Sequence, residues 1–270
     1  MSTCGTGGCG SCATGRNPAS LQRLGLRLDD WDHVVALAGN PNTGKSTLFN
    51  NLTGLRQHTG NWPGKTIARA EGGFSFQGRR YKLVDLPGTY SLLSSSPDEE
   101  VARDFILFGE PDVTVVVVDA TALERNLYLA LQVLQITDRT IVCVNLMDEA
   151  KAHGLRIDIR GLARDLGVPV VATAARQKEG MEELLNEIEL VATGRAVARP
   201  RRLGYDVPGL RPSIERLAAA VESAVPGIAN APWIALRLLQ GDESVRRALE
   251  NGELGRLPVD HASGPVEAAA

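Results

Sequence analysis

Gly39-Asn40-Pro41-Asn42-Thr43-Gly44-Lys45-Ser46 carries the spacing G-x-x-x-x-G-K-[ST], with Thr47 next and an apolar, helix-length run continuing to Leu52. From the chain's own glycine, lysine and serine/threonine frequencies, roughly 0.005 chance matches are expected, so coincidence explains it poorly. The β-forming run Val34–Ala38 directly precedes it. Strand, glycine-rich loop and helix therefore follow in the order that phosphate binding needs. The glycines let the backbone wrap a phosphate chain, its N–H groups point inward, and the helix N-terminus adds positive potential. Lys45 would reach the β- and γ-phosphates, and the Ser46 hydroxyl would bind Mg²⁺. The bland alternative is a βα turn that binds nothing.

Weaker motifs follow in a fixed order. Asp85-Leu86-Pro87-Gly88 ends the run Tyr81–Asp85. A carboxylate there can hold the Mg²⁺ shell, while Gly88 frees its N–H to sense a γ-phosphate. Between the two lies Thr59-Gly60-Asn61-Trp62-Pro63-Gly64-Lys65-Thr66, a loop rich in turn residues, with Thr66 as the second Mg²⁺ hydroxyl. Asn145-Leu146-Met147-Asp148 ends the run Ile141–Asn145. The Asp148 carboxylate can accept hydrogen bonds from guanine N1–H and the N2 amine, although a helix-capping aspartate is the plainer role. Thr173-Ala174-Ala175 ends Val168–Thr173, where backbone N–H groups can meet guanine O6. Each motif alone is weak. All of them at strand ends, in this order after the phosphate loop, predict a P-loop GTPase of the Ras-like class.

The wider pattern agrees. Short β-rich runs alternate with helical stretches from His33 to about Thr193, adding Thr66–Phe74 and Val113–Asp119 to those above. Thr66–Phe74 and Tyr81–Asp85 are joined through Gln77-Gly78, which reads as a hairpin. Val115–Val118 is apolar on both faces, as in a parallel sheet covered by helices. The expected fold is an α/β, doubly wound, mostly parallel sheet with one antiparallel edge, spanning residues 31–195. Beyond it, residues 200–256 show helical spacing only and predict a small all-α appendage, with Ile214, Leu217, Val221, Trp233, Leu236 and Leu239 as its core. Residues 1–30 read as a Cys/Gly-rich tail, with a weak leucine signal at its end, and residues 257–270 as a second tail.

With 29 basic and 32 acidic residues, the chain has a formal charge of −3, which excludes a strongly basic nucleic-acid binder. No apolar run approaches the roughly 18 residues of a membrane helix, and no signal peptide opens the chain. A cytoplasmic location is expected. Cys143 stands alone in an apolar run and reads as a small core residue.

Several motifs narrow the class. Gly39-Asn40-Pro41-Asn42, Gly60-Asn61-Trp62-Pro63-Gly64, Asp85-Leu86-Pro87-Gly88-Thr89-Tyr90-Ser91-Leu92 and Asp119-Ala120-Thr121 with Leu123-Glu124-Arg125-Asn126-Leu127 together resemble the cytosolic N-terminal part of FeoB, the prokaryotic ferrous-iron transport family. The likeness runs from about Trp31 to Gln240 and takes in the helical appendage, which looks like the FeoB domain that restrains GDP release. The resemblance implies K⁺ activation, with Asn42 and the carbonyls of Gly60 and Trp62 ligating the ion. It also implies Lys45, Asn42, Thr66 and Gly88 as catalytic groups, GTP and GDP as substrate and product, and a ferrous-iron membrane domain as partner on the cytoplasmic face of the inner membrane. Thr89 stands where Ras-like enzymes carry the water-orienting glutamine, so a monovalent cation can supply the missing transition-state charge. Ala174 stands where many relatives carry serine, which relaxes the expected guanine preference toward mixed nucleotide use. The chain stops before any hydrophobic span, as a truncation or a free-standing relative would.

Cys4-x₄-Cys9-x₂-Cys12 falls outside the family core. Three thiolates can bind iron or zinc with an outside ligand, or they are incidental to a tail. Two rival classes use them. One is a metallochaperone GTPase, opposed by the Asn-Trp-Pro-Gly loop and the helical appendage. The other is a metal- or iron–sulfur-sensing module with an inactive G domain, opposed by intact Lys45, Ser46, Thr66 and Asp85. Homo-oligomerisation is left open.

Overall fold

The structure is a computed structural model that describes residues 21–252, apart from residues 23, 29, 56, 94–95, 197, 203–208, 227 and 229. Cys4, Cys9 and Cys12 and the C-terminal stretch 257–270 lie outside the described residues. Seven strands form one sheet: β1 (His33–Gly39), β2 (Gln57–Asn61), β3 (Ala68–Phe76), β4 (Arg79–Asp85), β5 (Val113–Asp119), β6 (Thr140–Asn145) and β7 (Val170–Ala172). Their order is β2-β3-β4-β1-β5-β6-β7. The β4-β1-β5-β6-β7 pairings are parallel, while β2 and β3 run antiparallel at one edge.

Local chemistry accounts for most of these elements. The valine-rich β5 is apolar on both faces because helices cover both sides of the sheet. On one face α1 (Lys45–Thr53) and α6 (Met181–Ala192) bury Leu48 and Leu184 against Leu37, Tyr81 and Val115. On the other, α2 (Pro97–Gly109) and α3 (Leu123–Ile136) bury Phe105 and Leu129 against Val84 and Val116. The β3–β4 hairpin turns at Gln77-Gly78, both left-handed with φ of 47° and 76°, as a two-residue turn of the mirror-image type requires. The short helices α4 (Met147–Ala152) and α5 (Ile159–Leu166) connect β6 to β7.

Three expectations need correction. The sequence predicts no strand at Gln57–Asn61, yet β2 forms there, paired residue for residue with β3 from Gly72 to Ala68. Its residues are polar or glycine, so ladder hydrogen bonds rather than buried side chains hold it. The strand expected over Thr66–Phe74 is shifted two residues along, to Ala68–Phe76, and the one expected over Val168–Thr173 is shorter, spanning Val170–Ala172. The expected tail is packed from Leu21 onward: Leu21 and Leu26 are 0 % and 2 % exposed in the core beside α2.

Past Thr193 the chain forms α7 (Leu210–Ala224), α8 (Ala231–Leu239) and α9 (Glu243–Glu250). Ile214, Val221 and Trp233 are buried and Leu217 and Leu236 partly so. Leu239 is 47 % exposed instead, because it closes the last turn of α8. Polar contacts tie this helical unit to the sheet domain at two places. Arg202 and Asn230 cap the C-terminal carbonyls of α3, Arg202 Nε donating to Leu134 and Asn230 Nδ2 to Gln135 and Ile136. The second tie is the buried guanidinium of Arg103 on α2, whose nitrogens donate to Ser244 Oγ at 2.6 Å and Asp242 Oδ2 at 3.4 Å. Arg237 on α8 donates to Asp242 Oδ2 at 2.7 Å and to the Leu93 carbonyl at 2.9 Å.

Asp242 also caps α9, accepting from the Ser244 and Val245 N–H groups. Burial alone would raise its carboxyl pKa, but the Arg103 charge and the Arg237 and Ser244 hydrogen bonds outweigh it and hold it below the ordinary 3.8. Asp242→Ala removes the cap and takes a carboxylate from both guanidiniums, although Arg103 keeps Asp104 and Ser244 and Arg237 keeps Gln240 and the Leu93 carbonyl. The expected loss is about 1–3 kcal/mol, to be read by urea denaturation at pH 7. A depressed folded value means this stabilisation is complete above pH 3.8 and disappears as pH falls through the lower folded value, where the wild-type and variant curves converge.

Candidate functional site

The phosphate loop connects β1 to α1. Gly39 closes the strand, Asn40 and Thr43 are buried, and Pro41 and Asn42 face outward, Asn42 in the left-handed region at φ 66°. The Thr43 hydroxyl donates to the Asn40 carbonyl at 3.0 Å and pins the loop across its own turn. Gly44 is left-handed at φ 78°, and a Cβ there would collide with Asn145 Nδ2, so only glycine fits. Ser46 and Thr47 lie exposed on the first turn of α1. Lys45 Nζ donates to Asp85 Oδ1 and, at 2.7 Å, to the Leu86 carbonyl. Asp85 is mostly buried, and that burial raises its carboxyl pKa against the lowering pull of Lys45.

The loop after β4 lies directly against the phosphate loop. A Cβ on Gly88 would come within 3.4 Å of Pro41 Cα and N. Thr89, 5 % exposed, donates its N–H to the Gly39 carbonyl at 3.3 Å. The chain is then anchored on α3, where Gln132 Oε1 accepts from Leu92 N–H at 2.6 Å.

Asn145 closes β6 and is buried. Its Nδ2 donates to the Thr43 carbonyl at 2.9 Å, and its Oδ1 accepts from the Thr173 hydroxyl and the Ala175 N–H, both at 3.0 Å. The phosphate loop and both base-side loops therefore meet on one amide. Met147 opens α4, and its N–H donates to the Thr173 carbonyl at 3.2 Å. Asp148 is partly exposed, and its Oδ2 accepts from Gln177 Nε2 at 2.6 Å. The three N–H groups offered to guanine O6 are already donating inside the protein. Thr173 bonds the Val144 carbonyl at 2.7 Å, Ala174 the Glu179 carbonyl at 3.2 Å, and Ala175 the Asn145 side chain. Strand extension and a tight turn consume them. Buried Cys143, as expected a core residue, has its thiol pushed up to about 12 by burial, against a lowering hydrogen bond with Thr173.

The loop at 59–66 is seated on β3 and α2. Gly60 pairs with Arg69 in the edge strand β2. Trp62 is 3 % exposed, its ring edge-on to Phe105 of α2 at 5.5 Å, and its carbonyl accepts the Lys65 N–H at 3.0 Å. Thr66 is exposed in the turn before β3. Gln177 over Asp148 and the Arg103–Asp242 contact carried no sequence signal, since both rest on pairs far apart in the chain. Among the described residues, no group of three or more His, Cys, Asp or Glu side chains is placed to hold a metal ion.

A phosphate loop on β1, an Asp-x-x-Gly loop pressed on it from β4 and base-side loops on β6 and β7 define a P-loop GTPase G domain, here with a helical unit behind it. The chain belongs to the ferrous iron transport protein B family, whose sequence profile matches residues 33–188. It is 42 % identical over 213 residues to the Fe(2+) transporters FeoB of Shigella flexneri and Escherichia coli K12, covering 77 % of this chain and 27 % of theirs. The chain thus spans about a quarter of the length of these relatives. The cytosolic domain of T. maritima FeoB in apo form superimposes with a TM-score of 0.70 at 38 % identity, over 84 % of this chain and 89 % of that one. An S. thermophilus NFeoB mutant bound to mGDP gives 0.72 at 36 % identity, over 80 % and 81 %. Among the described residues no helix is long and apolar enough to cross a membrane.

Because three loops converge on Asn145, Asn145→Ala should cost about 2–3 kcal/mol in a urea titration, the scale of buried partners left unsatisfied. Asp148→Ala, whose carboxylate holds only Gln177, should leave stability within about 0.5 kcal/mol.

Proposed function

We propose that this chain binds and hydrolyses GTP as the nucleotide-operated region of a ferrous-iron transporter, on the cytoplasmic face of the inner membrane. The observation that carries the proposal is the Asn145 amide, which holds the phosphate loop and the base-side loops in one frame. In this reading Gly39 to Thr47 wrap the phosphates. Lys45 leaves Asp85 for the β- and γ-phosphates, and Ser46, Thr66 and the released Asp85 offer the hard oxygen donors that suit Mg²⁺. Bound there, the ion neutralises charge on the phosphate oxygens. Gly88 turns its N–H toward the γ-phosphate. Asp148 gives up Gln177 and accepts guanine N1–H and the N2 amine. Thr173, Ala174 and Ala175 exchange an internal bond for guanine O6 in the same way.

Thr89 brings no side chain to the reacting water, since it is buried with its N–H on Gly39. Asn42, exposed on the loop, is proposed as the K⁺ ligand, completed by the Gly60 and Trp62 carbonyls once loop 59–66 leaves its present seat. The helical unit, bonded to the Leu93 carbonyl after the Asp-x-x-Gly loop, is proposed to favour the GDP-bound state.

Turnover measured in KCl and in NaCl tests the reading. Wild type should run several-fold faster in KCl, and Asn42→Ala should erase the difference. Without help from an ion, rates on the order of 10⁻⁴ to 10⁻³ s⁻¹ are expected, as in unassisted Ras-type enzymes. Equal rates in both salts reject the K⁺ assignment, and equal use of ATP and GTP rejects the Asp148 role. Truncation after Thr193 should speed release of a fluorescent GDP analogue by roughly 5- to 150-fold, the usual span of such couplings.

A further inference from the structure

We propose that residues 21–32, apart from 23 and 29, form a strap that latches loop 59–66 in its seat on β3 and α2, with Arg69 as the clasp. Arg69 lies at the start of β3 and touches both parties. Its guanidinium donates to the Leu24 carbonyl at 2.7 Å and the Gly25 carbonyl at 3.2 Å. It pairs with Glu71 Oε1 at 2.8 Å, and it stacks over the Trp62 ring at 5.3 Å from the centroid. One planar cation therefore holds two strap carbonyls on one side and the key aromatic of the loop on the other.

The strap has its own footing, independent of the loop. Leu21 lies against Gly109 at the end of α2, where a Cβ would come within 2.9 Å of Leu21 Cδ2. Lys82 Nζ donates to the Arg27 carbonyl at 3.0 Å, and Asp32 exchanges hydrogen bonds with the Arg80 backbone. The Trp31 ring lies on bare Gly73, where any Cβ would strike it. Between footings the strap bridges more than it packs: a cavity of about 860 Å³ lies there, lined by Arg27, Trp31, His58 and Lys82 among others. Gly25 of the strap lies directly against Pro63 of the loop, and beside that contact Arg69 supplies the polar link between the two.

The seat of Trp62 is the second, independent observation. Its ring is sunk against Phe105, yet the indole Nε1–H is buried without a hydrogen-bond partner. A buried orphan donor marks a position held by its surroundings rather than by its own satisfaction. Lys65, bonded to Glu100 of α2 at 2.7 Å, adds the other hold on the loop. Releasing the strap frees Arg69, removes the cover of the Trp62 ring and lets loop 59–66 move toward the phosphate loop. The inference rests on the proposed GTPase reading for its consequence, but the latch itself exists without nucleotide.

Hydrogen–deuterium exchange on the full chain without nucleotide tests it, following residues 21–32 and 57–67. Arg69→Gln opens the clasp directly. Gly73→Ala displaces Trp31 and lifts the strap without altering Arg69 or Trp62. Each variant should accelerate exchange at least tenfold in both segments, and should raise basal GTP turnover. Exchange at 57–67 within twofold of wild type, in either folded variant, overturns the proposal. A chain that binds no guanine nucleotide would defeat the functional reading and still leave this exchange test decisive.

Discussion

Three loops that must act together are joined at one buried amide. The parallel strands bring the phosphate loop and the base-side loops to the same edge of the sheet, but parallel pairing alone leaves loops free to drift. Asn145 removes that freedom by donating to Thr43 and accepting from Thr173 and Ala175. Both ends of its amide are used, so a flipped amide would face donor with donor and is excluded. Gly44 follows from the same constraint, because Asn145 Nδ2 occupies the space a side chain would need. The spacing of the phosphate motif is thus a packing consequence of the amide as well as a demand of phosphate binding.

α2 plays the corresponding role on the other side of the sheet. Near its start Glu100 holds Lys65, at its centre Arg103 holds Asp242 and Ser244, and beyond that Phe105 seats Trp62 while Gly109 receives Leu21. Loop 59–66, the helical unit and the N-terminal strap therefore share one helix.

The β1 strand, the phosphate loop and the valine-rich β5 could be read from the sequence because local chemistry fixes them: periodicity, glycine placement and two-sided burial all act within a few residues. The helical unit was legible from its spacing. β2 was not, because Gln57-His58-Thr59-Gly60-Asn61 gains its strand character from the partner β3. The strap was read as a tail because Leu21, Leu24, Leu26 and Leu28 are four leucines spread among polar residues, and the value of Leu21 and Leu26 appears once α2 supplies a surface. The family resemblance assigned roles to site residues, but the internal bonds of Thr173, Ala174 and Ala175 depend on tertiary placement. No motif records which backbone donors are already spent.

Trp62 sets the energy scale of any switching. Burying a tryptophan removes about 150–250 Å² from water, or roughly 4–6 kcal/mol at 25 cal/mol per Å². The unpaired indole N–H returns about 1–3 kcal/mol of that. The seat is then favoured by about 3 kcal/mol, equivalent to a seated population of around 99 %. Such a bias is large enough to hold loop 59–66 in its seat and small enough for a ligand to reverse. Full reversal, from 1:99 to 99:1, requires binding the advanced state about 10⁴-fold more tightly, near 5.5 kcal/mol. A fully satisfied Trp62 would raise that demand further, so the orphaned N–H lowers the energy needed to move the loop.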